Sequence, residues 1–295
     1  MAVFSKKDVA PSAEALTFRR GLIESMVFEL VPLASAGDAI AALPPNSKVS
    51  VTASPVKGLD ATKELANQVL EAGHRPVPHI AARQVESRTH TAQIAAWMKD
   101  EGLDTLFSIA GDAEEPSGPY EGSYRFLSDL FEQDHGLAHV GVASYPDGHA
   151  LISSETCHEQ LHAKQALLAE AGVGGWTSTQ MCFDTDLITS WLRAERESGL
   201  TLPIHLGIPG VVDRSKLMTM GVRLGVGASL RFLKKNRAAV TKLLAPGAYD
   251  PDDILLPMAN DLESLGIEAL HVFTFNQVES TEAWRQQVIS EAKAM

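Results

Sequence analysis

Short apolar runs recur along the chain at intervals of roughly 30 residues, the length of a strand–helix unit. Runs of β-branched and other apolar residues that are bounded by turn-forming residues are typical of β-strands. Eight such runs are present, at residues 26–32, 49–54, 75–82, 105–111, 139–146, 176–183, 204–210 and 270–276. We therefore predict eight strands.

The segments between these runs have helical periodicity and are rich in good helix formers, as in residues 61–73, 88–102 and 154–172. Strict alternation of strand and helix predicts parallel βαβ units, and eight such units match a (β/α)₈ TIM barrel. A doubly wound open sheet is the alternative, but no G-x-G-x-x-G follows the first strand. We predict a single barrel domain over residues 1–295, with an N-terminal extension over about residues 1–20.

Composition narrows the classes of partner. The chain has 25 basic and 37 acidic residues, a net charge of -12, which disfavours binding to nucleic acid or to an anionic membrane. No apolar run reaches the ~18 residues of a membrane span, and the N-terminus does not resemble a signal peptide. The two cysteines fit no metal spacing. These observations predict a reduced, cytoplasmic protein without a metal.

Polar residues collect where the predicted strands end, which is the face that holds the active site in TIM barrels. Glu29 lies inside an otherwise apolar run, and a glutamate is rarely buried without a partner or a task. The other candidates at or near strand ends are Thr52, His79, Gly111, Asp112, Tyr145, His149, Gln180 and Gln277. This set suits proton transfer and the orientation of a polar ligand better than nucleophilic catalysis, and no G-x-S-x-G elbow is present.

One motif favours a different chemistry. Residues 158–162 read H-E-x-x-H, the spacing of a zinc hydrolase on a helix. The match lies on the helix after the fifth strand, no third ligand follows at a known spacing, and Lys164 and nearby acids fit a solvated helix face. We therefore interpret this segment as an exposed helix and keep the zinc hydrolase as a minor alternative.

Taken in order, the segments VFELVP, VSVTAS, PHIAAR, AGDAEEP, ASYPDGH, STQMCFD, GIPG and LHVFTFNQ resemble the methylenetetrahydrofolate reductase family. The resemblance implies a (β/α)₈ barrel that reduces 5,10-methylenetetrahydrofolate to 5-methyltetrahydrofolate with NAD(P)H, usually through bound FAD. By position, Glu29 matches the general acid, and burial helps a carboxyl to keep its proton. Asp112 matches the aspartate on the pterin, and Gln180 matches an amide that orients the substrate. Contacts with the flavin are implied for Thr52, His79, Gly111, Tyr145 and His149.

The chain departs from the family where the flavin diphosphate and the folate tail would bind. Ala110 and Leu168 stand where basic residues hold the diphosphate, Phe126-Leu127 replaces Tyr-Ala, and Gln277 replaces an arginine that meets the folate tail. Two routes follow: hydride transfer through FAD, or direct transfer from the nicotinamide, with NADH favoured. Backbone N–H groups at helix N-termini could still hold a diphosphate, so both routes stay open.

Two other functions remain alternatives. A different barrel enzyme that acts on an anionic metabolite would use a glycine-rich phosphate cradle, for which residues 225–229 (GVGAS) are a weak candidate. A non-catalytic folate or flavin carrier would bind without turnover. The sequence leaves the oligomeric state open, with a homo-oligomer among the options.

Overall fold

Eight parallel strands form a closed barrel in the computed structural model, which describes residues 10–54, 56–149, 152–223 and 247–291. Neighbouring strands pair in sequence order, and β8 returns to β1 with Val27 opposite His271 and Glu29 opposite Phe273. The strands are β1 Val27–Leu30, β2 Lys48–Val51, β3 Arg75–Ala81, β4 Thr105–Ile109, β5 His139–Ser144, β6 Gly174–Thr179, β7 Ile204–Pro209 and β8 Ile267–Phe273. The predicted TIM barrel is confirmed.

Helices lie before, between and after the strands, on the outside of the barrel. In the described part of the chain they are α1 Ala13–Glu24, α2 Ala36–Ala41, α3 Gly58–Glu71, α4 Arg88–Asp100, α5 Ser123–Phe131, α6 Ser154–Ala171, α7 Thr185–Glu197, α8 Arg214–Arg223, α9 Asp252–Met258 and α10 Val278–Glu291. Local signals explain several boundaries. Ser87 and Ser153 cap α4 and α6 by accepting backbone N–H groups, and Gly172 ends α6 with a left-handed φ of 67°.

Side chains alternate along each strand between the barrel interior and the layer under the helices. The outward positions are apolar and buried, and they form the main core with the helices: Phe28, Leu30, Val49, Val51, Ile80, Leu106, Val140, Val142, Leu206, Ile208, Leu270 and Val272. The inward positions include polar and aromatic rings in mutual contact: His79, Phe107, Trp176, His205 and His271. The apolar layer between the strands and the helices therefore forms the main core, while the interior of the barrel carries titratable side chains.

Helix α1 begins within the predicted N-terminal extension and runs beyond it, and its N-cap Ser12 accepts the N–H of Ala15. Arg19 of α1 is buried and forms an ion pair with Asp252 at the start of α9. Arg285 of α10 donates to the carbonyls of Ile23 and Glu24 at distances of 3.2 and 2.7 Å. These contacts fasten the first helix to the last one. No described helix is long and apolar enough to span a bilayer.

The glycine-rich candidate phosphate cradle, residues 225–229, lies outside the described residues. The same holds for all of residues 224–246, which follow α8.

Candidate active site

A cavity of about 360 Å³ opens at the carboxyl ends of the strands. This is the face at which TIM barrels place their active sites. Eight of the nine predicted site residues line it: Glu29, Thr52, His79, Gly111, Asp112, Tyr145, His149 and Gln180. Sequence reasoning missed several other lining residues, notably Phe107, Asp147, Ser178, His271 and Phe273.

Glu29 lies at the end of β1 and is 5% exposed. Its Oε2 is 2.8 Å from Nε2 of His271 on β8, which is 3% exposed. The hydroxyl of Thr274 donates to the Glu29 backbone carbonyl at 2.6 Å, which holds the two strands together beside the pair. The carboxyl therefore has one buried partner with which it can share a proton. His271 carried the same signal in the sequence as Glu29, a polar residue within a buried strand.

His79 of β3 lies next to this pair. Its Nε2 is 2.5 Å from the hydroxyl of Ser50, and its ring is 5.9 Å from that of His271. Burial, followed by the charge of His271, lowers the pKa of His79 well below 6.5, so its imidazole is neutral at physiological pH. Ligand atoms of Glu29, His79 and His271 lie within 4.8 Å of one another, a spacing that a metal ion would also accept.

Thr52 follows β2 and presents a buried hydroxyl to the cavity. Its Oγ1 has no hydrogen-bond partner among the described residues. Because an unpartnered buried polar atom costs free energy, such an atom in a cavity wall is available for a hydrogen bond to a ligand or to water. Thr52 therefore fits the expectation that it contacts a ligand.

Gly111 and Asp112 follow β4 at the rim of the cavity. Gly111 has a φ of 90°, and a Cβ on it would lie 3.0 Å from Cβ of Ala81. Only glycine accommodates both the left-handed backbone and the close approach. The turn ends the strand there and exposes Asp112 on the cavity side.

Arg83 anchors the loop that carries Asp112. Its guanidinium donates to the carbonyls of Ala113 and Glu114 at 2.8 and 2.7 Å and to Oε2 of Glu121 at 2.9 Å. Its backbone N–H donates to the carbonyl of Ala110 at 2.9 Å. The loop after β4 is thus held by the loop after β3, a relationship that the sequence did not indicate.

Tyr145 and His149 follow β5, the strand next to β4, and line the cavity with ring centroids 4.8 Å apart in an edge-to-face contact. Burial raises the pKa of Tyr145, with smaller effects of Cys157 and Asp112, so the phenol keeps its proton. Burial lowers the pKa of His149, and the carboxylate of Asp112 opposes that shift.

Gln180 accepts the N–H of Met181 with its Oε1 at 2.8 Å, which leaves its Nε2 hydrogens as donors for a ligand.

Gln277 is not among the residues that line the cavity. Its Oε1 accepts the N–H of Asp213 at 2.8 Å and so joins the loops that follow β8 and β7. Its assignment to substrate binding stays a prediction.

Two positions at which the sequence departs from the family pattern, Leu168 and Phe126-Leu127, lie in the core and not at the cavity. Leu168 is 1% exposed and packs beside Gly175 near the start of β6, at the end of the barrel opposite the mouth. Phe126 and Leu127 are likewise fully buried in the core. These positions therefore say nothing about charge at the cavity. Ala110 does line the cavity.

The ionisable groups in the described cavity wall are three carboxyls, three imidazoles and one phenol: Glu29, Asp112, Asp147, His79, His149, His271 and Tyr145. Neither lysine nor arginine is among the described residues that line the cavity. The wall suits proton transfer and the binding of N–H donors more than the binding of an anion.

A family model described as methylenetetrahydrofolate reductase matches residues 31–288. The chain is 29% identical to methylenetetrahydrofolate reductase 2 of Saccharomyces cerevisiae over 121 residues, which is 38% of this chain and 19% of that protein. It is 24% identical over 203 residues, 62% of the chain, to a probable methylenetetrahydrofolate reductase (NADH) of Oryza sativa subsp. japonica. It is 25% identical over 189 residues, 59% of the chain, to methylenetetrahydrofolate reductase 1 of Schizosaccharomyces pombe. The last two alignments cover 33% and 29% of the relatives, so the chain matches a third or less of their lengths. The match to the family model over most of the barrel shows that the chain belongs to the methylenetetrahydrofolate reductase family.

Proposed function

We propose that this protein reduces 5,10-methylenetetrahydrofolate to 5-methyltetrahydrofolate, with a nicotinamide dinucleotide as the hydride donor. One observation carries the proposal: Glu29, a buried carboxyl paired with His271, faces the cavity whose rim holds Asp112 and Gln180. Family membership supplies the reaction class, and the cavity supplies an acid and polar binding groups in one place.

Glu29 acts as the general acid. It protonates N10 of the substrate, the bond between N10 and the methylene carbon breaks, and N5 is left with an iminium group. Hydride addition to that carbon gives the methyl product, and the nicotinamide leaves oxidised. Glu29 ends as a carboxylate, and a proton taken up from solvent and passed on by His271, 2.8 Å away, restores the acid before the next turnover.

Asp112 and Gln180 position the pterin ring. A carboxylate at the rim accepts hydrogen bonds from the pterin N–H groups and stabilises the cationic iminium. The Nε2 hydrogens of Gln180 match the acceptor atoms of the same ring. Both residues act by holding the methylene carbon in front of the donor, while Glu29 moves the proton.

The cofactor route that we propose is direct transfer from the nicotinamide. Groups that could contact an isoalloxazine ring are present, since Thr52, Gly111 and Tyr145 line the cavity. A permanently held FAD also needs its diphosphate neutralised, and the described wall has Ala110 and carboxyls but no lysine or arginine. A nicotinamide that binds and leaves in each turnover needs no such tight hold. NADH is the expected donor.

The two alternatives gain no support from the described residues. A binding site for an anionic metabolite would need cations or a glycine-rich cradle, and the candidate cradle at 225–229 lies outside the described residues. A non-catalytic carrier has no use for a buried acid–imidazole pair at the cavity.

The test is an absorbance spectrum of freshly purified protein, followed by NADH oxidation with and without 5,10-methylenetetrahydrofolate. We expect a colourless protein that oxidises NADH only when the folate is present and that gains nothing from added FAD. Activity that depends on FAD would overturn the direct route and leave the reaction standing. Absence of folate-dependent oxidation of NADH and NADPH, with and without FAD, would overturn the function itself.

A further inference from the structure

The H-E-x-x-H segment of α6 meets a third potential metal ligand on the neighbouring helix. His158 and His162 are one turn apart on α6, so their side chains share a face. Oε2 of Glu195, on α7, is 2.9 Å from Nδ1 of His158 and 2.9 Å from Nε2 of His162. This third residue cannot be recognised from the motif, because it lies on a different helix 33 positions beyond His162.

Glu195 occupies a position where α7 otherwise buries apolar side chains. The buried residues of this helix are Ile188, Leu192 and Glu195, at the spacing of one core-facing stripe. The Glu195 side chain is only 6% exposed. A carboxylate in such a place is rarely found without a cationic or metal partner, because its desolvation is costly.

The interpretation of this part of α6 as a solvated face is wrong for Lys164, which is 7% exposed. The face of α6 that packs against α7 carries polar side chains that form hydrogen bonds to α7 and to the residues after it. Gln165 continues it, since its Oε1 accepts the N–H of Thr201 at 2.7 Å and its Nε2 donates to the carbonyl of Gly199 at 3.0 Å. The two histidines are therefore part of a built interface between α6 and α7.

We propose that His158, His162 and Glu195 form a binding site for a divalent transition-metal ion of the Zn²⁺ class. Two imidazoles and one carboxylate are a known ligand set for zinc, and imidazole also suits neighbouring transition metals. The ion joins α6 to α7 on the outside of the barrel. The site is separate from the cavity that binds the folate, and it does not depend on the proposed function.

The two imidazole–carboxylate distances are close to those around a coordinated ion. The three ligand atoms lie within 4.8 Å of one another. Bonds of about 2.0–2.1 Å at a tetrahedral angle separate ligand atoms by about 3.3 Å, so the 2.9 Å contacts need to lengthen by roughly 0.4 Å. Each imidazole takes the tautomer that points its lone pair at the ion, with its proton on the other ring nitrogen.

Solvent reaches the site from the side of the histidines, whose side chains are 43% and 22% exposed. Water can therefore complete the coordination of the ion. Glu159, the glutamate within the H-E-x-x-H segment, is exposed and is not among the three clustered residues. The site thus holds an ion between two helices, and we assign it no hydrolytic reaction.

The site also lies close to the loop that follows β5. A small cavity of about 170 Å³ borders His158 and Glu195, and it is lined by Tyr145 and Gly148, which line the large cavity as well. An ion that fastens α6 to α7 would therefore support the loop that carries Tyr145.

The experiment uses the 295-residue chain after treatment with a chelator, and titrates it with Co²⁺ or Zn²⁺. We expect one high-affinity equivalent of Co²⁺ with visible d–d absorption typical of low coordination number, displaced by Zn²⁺, and a rise of the melting temperature with ion concentration. His162→Gln and Glu195→Gln should each lower the affinity by about 100-fold or more, beyond the 10–100-fold typical for loss of a supporting partner.

Three matched variants serve as controls. Glu197→Gln changes an exposed acid on α7, the helix of Glu195. Glu159→Gln changes the exposed glutamate within the H-E-x-x-H segment of α6. Both should bind the ion as the wild type does. His79→Gln alters the second cluster, in the large cavity, and should also leave the affinity unchanged.

The proposal is overturned if the chelated wild type takes up no stoichiometric ion, which would make the trio a hydrogen-bonded contact between helices. It is equally overturned if binding survives in both His162→Gln and Glu195→Gln, or is lost in His79→Gln. Circular dichroism of each variant verifies that it is folded, so a loss of binding can be assigned to the ligand.

Discussion

Nε2 of His271 and Oε2 of Glu29 are 2.8 Å apart, although 242 positions separate the two residues in the chain. Closure of the barrel brings them together, because β1 and β8 are neighbours only through that closure. Both side chains are buried, at 4% and 7% exposure, so their hydrogen bond is shielded from bulk water. In the proposed reaction, the pair acts as one unit in proton transfer.

A double-mutant cycle on Glu29 and His271 tests whether the two residues act together in proton transfer. Glu29→Gln keeps the shape and removes the proton, and we expect turnover to fall by about 10²-fold or more with folate binding largely intact. His271→Asn should lower turnover less, by about 10-fold, because it removes only the partner of the acid. The double variant should be no slower than Glu29→Gln alone. Steady-state NADH oxidation and folate binding are the measurements.

Effects that multiply in the double variant would contradict the idea of one unit. Wild-type turnover in Glu29→Gln would remove its role as the acid. His205→Gln is the control, since His205 is also an inward-facing strand residue but does not line the cavity. Its turnover should stay near that of the wild type.

Our second prediction concerns Arg83, which anchors the loop after β4. Arg83→Met removes the donors that hold the carbonyls of Ala113 and Glu114, so Asp112 loses its fixed position. Each hydrogen bond to a charged group contributes about 1.5–3 kcal/mol, so we expect KM for the folate to rise by about 10-fold or more. The change in kcat should be smaller. Arg193→Met, which removes a surface pair with Asp261, is the control. An unchanged KM with a reduced kcat would show that the loop acts in the chemical step instead.

The eight strands and the strand-end site residues could be predicted because they depend on local pattern. Strand boundaries were less accurate for physical reasons. The fourth strand ends at Ile109 because Gly111, predicted to be part of it, turns out of the ladder. The sixth strand begins at Gly174, before its predicted start, because two glycines that give a weak strand signal make room there for His139 and Leu168.

Relationships across the fold were beyond the reach of the sequence. The site residue predicted near β8 was Gln277, which follows the strand, whereas His271, the partner of Glu29, lies within it. Glu195 reads as an ordinary acid on an amphipathic helix, and only the packing of α7 on α6 places it against two histidines. The same holds for Leu168, whose position along α6 did not indicate that it lies far from the mouth of the barrel.

His79 gives a prediction about pH. Its pKa in the folded protein lies well below 6.5, because burial and His271 disfavour the charged imidazole. As pH falls below 6.5, the unfolded chain binds a proton that the folded protein does not, so the free energy of unfolding decreases. His79→Gln should reduce this dependence below pH 6.5, measured by urea denaturation at several pH values. His139→Gln, at an exposed position, should retain it. An equal slope in wild type and His79→Gln would show that the imidazole is protonated in the fold.

The interior packing beneath the cavity makes the last prediction. A Cβ on Gly141 of β5 would lie 2.3 Å from Cζ2 of Trp176 and 2.4 Å from Cδ2 of Phe107. Gly141→Ala should therefore force these rings apart and lower the free energy of unfolding by about 1–3 kcal/mol, as overpacking does in other cores. Gly21→Ala in helix α1 meets nothing within 4 Å and should raise stability by about 0.5–1 kcal/mol. Denaturant unfolding of both variants measures the difference. Phe107 also contacts His79 and lines the cavity, so Gly141→Ala should lower turnover as well. A variant that is stable and fully active would contradict this prediction, because it would show that the rings can move without disturbing the pair of Glu29 and His271.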